Sequence, residues 1–107
     1  MAALIVFVTT PNRRVSERLM RIAVEGRFAA CANRLPGLVS RYWWKGRVET
    51  AREEMLFLKT TVRKYPSLER VLRKAHPYEV CEILAVKVAA GNPSYLGWIQ
   101  ESLGVSR

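Results

Sequence analysis

The run Leu4-Ile5-Val6-Phe7-Val8 constrains the fold more than any other stretch of the chain. It is apolar without a break and rich in β-branched residues. That pattern predicts a strand covered on both faces, at the centre of a sheet. Thr9-Thr10-Pro11-Asn12 ends the run, and Asn12 is placed to cap a helix. Val15, Leu19, Ile22, Ala23 and Gly26 then recur at helical spacing, with Arg14, Glu17, Arg18, Arg21 and Glu25 on the opposite face. The helix is expected to stop near Gly26.

Residues 28–33 read as a second strand, and Pro36-Gly37 interrupts it as a bulge or bend within one long strand. Residues 38–44 continue that strand and Lys45-Gly46-Arg47 turns it back. The polar stretch 49–54 is predicted to be loose or irregularly paired, with the third strand running over 55–61. Tyr65, Leu68, Val71, Leu72 and Ala75 mark a second amphipathic helix with Pro66 in its first turn. It ends at His76-Pro77. Residues 83–88 form a fourth strand. Asn92 and Pro93 open a short terminal helix lined by Leu96, Ile99 and Leu103.

This order specifies an α+β chain of a single domain over 1–107. Its pattern is the ferredoxin-like βαββαβ sandwich, with an extended hairpin between the second and third strands and a short C-terminal helix. Two helices cover one face of such a sheet, yet the strands are apolar on both. In Tyr42-Trp43-Trp44, consecutive aromatic residues point to opposite sides of a strand. Large apolar patches are rare on monomers, so a homo-oligomer is expected, with the hairpin edge free to reach a neighbouring sheet.

The formal net charge is +9. Every acid is glutamate and most bases are arginine, scattered along the chain with no block of like charge. No nucleic-acid motif accompanies them, so nucleic acid is not an expected partner and the charge reads as a solvated basic surface. No apolar run approaches the ~20 residues of a membrane span, and residues 4–8 are too short for a signal-peptide core. The expected location is cytoplasmic, with Cys31 and Cys81 reduced. The chain lacks aspartate, a Gly-x-Ser-x-Gly motif and a phosphate loop. A His76–Glu82 pair has no accompanying nucleophile, so an enzyme is not expected.

The stretch His76-Pro77-Tyr78-Glu79-Val80-Cys81-Glu82 gathers the sole histidine with Glu79, Cys81 and Glu82. Imidazole, thiolate and carboxylate are ligands for zinc, copper or nickel. Pro77 pushes His76 out of helical geometry and so fixes its direction. Two readings stay open from spacing alone: an anchor for a metal, or a cap on the last carbonyls of a helix.

Several motifs in order carry a resemblance to a known family. They are Val8-Thr9-Thr10-Pro11-Asn12, Glu25-Gly26-Arg27-Phe28-Ala29-Ala30-Cys31-Ala32-Asn33 and Leu35-Pro36-Gly37. Ser40-Arg41-Tyr42-Trp43-Trp44-Lys45-Gly46, Leu58-Lys59-Thr60, His76-Pro77-Tyr78-Glu79 with Glu82-Ile83, and Gly91-Asn92-Pro93-Ser94-Tyr95-Leu96-Gly97-Trp98-Ile99 complete the set. Together they resemble the CutA family of divalent-cation tolerance proteins, nearly end to end. The resemblance implies a ferredoxin-like subunit, a homotrimer, a link to copper and other divalent metals, and kinship with PII signalling proteins. It implies His76 as a copper ligand and Cys31 as the family's second-strand cysteine. Val8 and Ala75 stand where copper-binding members are proposed to carry a cysteine and a second histidine, and Cys81 stands where the family commonly has proline.

Two functions are therefore weighed. In the first, a trimer binds copper or another divalent metal through His76 with Glu79, Glu82, Cys31 or Cys81. In the alternative, a PII-like regulatory or scaffold trimer takes a small anion or a protein partner in inter-subunit clefts lined by Arg41, Tyr42, Trp44, Lys59 and Tyr78.

Overall fold

The computed structural model describes residues 2–104. Strand β1 (Ala3–Thr10) holds the apolar run and lies inside the sheet, as its composition requires. It pairs antiparallel with β3 (Arg47–Thr61) on one side and β4 (Ile83–Lys87) on the other. With β2 (Cys31–Trp44) beyond β3, the order is β2-β3-β1-β4. Helices α1 (Arg13–Glu25) and α2 (Tyr65–Ala75) pack on one face. There Val6, Val8, Leu56 and Leu58 meet Leu19, Ala23, Leu68 and Leu72 in a fully buried core. Each buried leucine or valine contributes about 1.5–3 kcal/mol of apolar transfer. The fold is the expected α+β ferredoxin-like sandwich. No helix among the described residues is long and apolar enough to cross a membrane.

Local chemistry sets the helix ends. The Val15 N–H donates to Asn12 Oδ1 at 2.9 Å, which makes Asn12 the cap of α1. At the other end the left-handed residue is Arg27, at φ 61°, while Gly26 keeps φ −80°. Gly26 is required for space instead: a Cβ there would meet the Phe28 ring at 2.6 Å and the Ile22 carbonyl at 2.8 Å. Pro66 occupies the first turn of α2. His76 leaves the helix at ψ 136°, as Pro77 dictates. Helix α3 (Pro93–Ser102) starts at Asn92, but that side chain bonds Ser94 at 3.0 Å rather than a backbone N–H.

The hairpin corrects two expectations. Strand β2 begins at Cys31 rather than Phe28. The Phe28 and Ala29 amides are spent on the Ala23 carbonyl, which folds residues 28–29 back against α1, and Ala30 is the first to donate to β3, at the Lys59 carbonyl. Residues 49–54 are not loose: inside one continuous β3, residues 49–53 pair in register with 38–42, from Leu38↔Glu53 to Tyr42↔Glu49, and Glu54 pairs with Thr10 of β1. A ladder needs only backbone groups, so polar side chains did not prevent it. The bulge expected at Pro36-Gly37 is present, as a register shift between Leu35 and Leu38. Lys45 at φ 51° and Gly46 at φ 80° make the two-residue turn that suits twisted strands.

On the face away from α1 and α2, Phe7 and Phe57 pack edge to face at 5.5 Å. Helix α3 covers part of this face through Ile99 and Leu103 against Ala3. Leu84 and Val86 of β4 stay 59% and 45% exposed there.

Candidate functional site

Beyond Thr10 the β2–β3 arm runs on without β1 beside it, since β1 ends opposite Glu54. Segment 77–82 lies against this arm, and the two bound a cleft of about 740 Å³. Alternation puts Ser40, Tyr42 and Trp44 on one face of the arm together with their cross-strand partners, and Glu53 continues that face on β3. All four line the cleft, with Thr9, Arg41, Trp43, Pro77, Tyr78, Glu79, Val80 and Glu82.

His76 stands behind this cleft and is 7% exposed. Its Nε2–H donates to the Thr9 carbonyl at 2.7 Å. The Tyr78 backbone N–H donates to Nδ1 at 3.1 Å. A carbonyl cannot donate and an amide N–H cannot accept, so the network assigns the Nε2–H tautomer and engages both ring nitrogens. The histidine thereby ties α2 to the end of β1 and fixes the start of segment 77–82. Its ring also packs on Tyr78 at 4.7 Å between centroids.

Tyr78 carries this order into the cleft. Its hydroxyl donates to Glu53 Oε2 at 2.6 Å. Burial pushes the phenol well above its ordinary range, and the Glu53 carboxylate adds to the shift. Glu53 itself is 7% exposed. Among the described residues no lysine, arginine or histidine forms an ion pair with it.

The structure divides the remaining candidates. Tyr42, Trp44, Tyr78, Glu79 and Glu82 share the cleft, whereas Cys81, half-buried between Val80 and Glu82, is not among its walls. Cys31 and Lys59 are cross-strand neighbours on the row of Ile5, four residues along β1 from Thr9. At about 3.3 Å per residue that row is remote from His76. There Cys31 Sγ lies 3.5 Å from Tyr95 Oη. This contact, with burial, pushes the Tyr95 phenol up to about 12. Lys59 Nζ donates to Asn33 Oδ1. Arg41, Tyr42, Trp44 and Tyr78 do share the cleft, but Lys59 does not join them within one chain, and Glu53, Glu79 and Glu82 outnumber Arg41 against an anion. Nor do the described residues bring three His, Cys, Asp or Glu into a group able to hold a metal. The donors of a single chain do not fit a resident metal centre.

Sequence reasoning missed Glu53. The signal was present in Glu53-Glu54 beside the apolar Met55-Leu56: in a strand, one of two adjacent glutamates faces each side. Glu54 indeed faces the other way, where Arg34 Nε and Nη2 each reach it at 2.7 Å.

Comparison with known proteins agrees with the fold. The family model described as CutA1 divalent ion tolerance protein matches residues 4–102. Protein CutA of Mus musculus is 43% identical over 95 residues, 89% of this chain. The chain spans about half the length of that relative, 54%. The divalent-cation tolerance protein CutA of Thermus thermophilus is 41% identical over 94% of this chain and 97% of its own. The crystal structure of CutA from Xylella fastidiosa superposes with a TM-score of 0.92 at 38% identity, covering 94% of this chain and 97% of that one. With an architecture, a matching family model and full-length similarity in agreement, the chain belongs to the CutA1 divalent ion tolerance family.

Proposed function

We propose that the chain serves divalent-cation tolerance as a homotrimer that binds metal ions, copper(II) first among them, at the rim of the cleft. The placement of acid carries this reading. The chain has a formal net charge of +9, yet Glu53, Glu79 and Glu82 line one cleft. Arg41 is the one cationic side chain on those walls against three carboxylates, and an excess of one sign of charge in a cleft concentrates counter-ions. Glu79 and Glu82 are the first donors. His76 becomes a ligand when the Tyr78 N–H releases Nδ1, and Cys81 or a neighbouring copy's cysteine supplies the softer donor that copper favours. Because one chain does not close around an ion, a second copy completes the site. The exposed Leu84 and Val86 support such a partner. The relatives' description as divalent-cation tolerance proteins supports the metal.

Isothermal titration of the metal-free protein with Cu(II) and Zn(II) tests this. Wild type is expected to show one saturable site per chain. The Glu79→Gln/Glu82→Gln variant should bind at least about 10-fold more weakly, the minimum seen when a metal site loses a supporting group. His76→Ala should weaken Cu(II) more than Zn(II). Affinities unchanged in both variants would remove the cleft from metal binding.

A further inference from the structure

The interior of the cleft differs from its rim. Glu53 is more than nine-tenths buried, lines the cleft and has no cationic partner among the described residues. Among the described residues its one side-chain bond comes from the Tyr78 hydroxyl and engages Oε2, which leaves Oε1 free to accept. No sealed side-chain oxygen among the described residues lacks a hydrogen-bond partner, so the unbonded Oε1 opens onto the cleft, where a cation can reach it. The walls of the cleft include Tyr42, Trp43, Trp44 and Tyr78, and Arg41 also lines it but forms no ion pair with Glu53 among the described residues. Aromatic faces attract cations but supply no ligand set for a metal, whereas ammonium and guanidinium groups bind both a carboxylate and a ring face. The volume of about 740 Å³ lies in the range of small-molecule sites.

We propose that this interior is a binding site for a small organic cation, an ammonium or guanidinium group on a short alkyl chain. Glu53 pairs with the charge and the rings of Tyr42, Trp44 and Tyr78 enclose it. The two readings share the cleft but differ in donors: the metal reading takes Glu79, Glu82 and a second copy as ligands, whereas this one takes the Glu53 carboxylate and the rings.

The test uses agmatine and choline as probes, with 1-butanol and sodium chloride as controls for apolar contact and ionic strength. Binding is read by tryptophan fluorescence and isothermal titration on the purified full chain. Saturable binding of agmatine or choline at one site per chain is expected, with no response to either control. Glu53→Gln keeps an oxygen to accept from Tyr78 but loses the charge, and should weaken binding about 10-fold or more. Tyr42→Leu should weaken it about 2- to 10-fold, and Zn(II) affinity should stay unchanged in Tyr42→Leu. Absence of saturable binding to wild type overturns the proposal, as does equal affinity in wild type and Glu53→Gln. Because Zn(II) is titrated on the same samples, loss of the metal reading and loss of this one give different results.

Discussion

A single residue with a buried charge reports on the whole structure when pH changes. Glu54 accepts from Ser16 Oγ at 2.7 Å and from both Arg34 nitrogens. The Arg34 bonds hold its carboxyl below the ordinary range against the upward push of burial, and Ser16 helps. A depressed pKa in the folded state means that this stabilisation is complete above the unfolded value, about 4.3. It is lost as pH falls from there through the lower folded value. Urea midpoints measured from neutral pH downward should therefore drop in wild type below about pH 4.3. They should drop less steeply in Glu54→Gln, and parallel acid limbs would show that Glu54 contributes nothing to acid sensitivity. None of this network was legible in the sequence, because Ser16, Arg34 and Glu54 meet only when α1, β2 and β3 are assembled. The direction of His76 was legible, since Pro77 sets it locally. The occupation of both its nitrogens was not, since Thr9 arrives from a distant strand.

Elements were legible where a local rule decided them. The Asn12 cap, the Pro66 helix start and the Pro36-Gly37 bulge each follow from one residue's chemistry. Residues 49–54 were misread because their side chains carry no alternation of apolar and polar residues, while the ladder that holds them uses the backbone. The end of α1 shows a subtler case. A glycine there suggests a left-handed turn, but the structure puts the positive φ on Arg27 and uses Gly26 to admit Phe28. Gly26→Ala should then destabilise the fold by about 1–3 kcal/mol, the usual cost of overpacking. The Ile22 carbonyl at 2.8 Å belongs to the helix backbone and cannot swing aside. Chemical denaturation decides the matter: an unchanged midpoint would mean that the Phe28 ring relocates without cost.

The whole molecule is longer than a compact chain of its size. Its radius of gyration is 14.5 Å and its extents are 48 × 25 × 22 Å, against about 13 Å for a typical domain of this length. The hairpin accounts for the difference, and it carries Val39, Trp43 and Val48 at 66%, 74% and 51% exposure. At the opposite edge of the sheet, β4 exposes Leu84 and Val86. Two different apolar surfaces on one chain suit a head-to-tail contact, and such a contact closes into a ring when its rotation divides the circle. The proposed trimer is a ring of this kind. Apolar strands around an uncovered sheet face raise the expectation of a second copy from the sequence, and the family resemblance supplies the number three; the two apolar surfaces emerge only with the strand order. Replacing Leu84 and Val86 together by glutamate puts charge on this exposed face without touching the helix-side core. Circular dichroism should remain that of wild type, since neither side chain is buried within the chain. Light scattering after size exclusion should fall from the mass of a trimer to that of one chain. A variant that keeps its folded spectrum and the wild-type mass would place the contact elsewhere, with the hairpin residues Val39, Trp43 and Val48 as the surface to alter next.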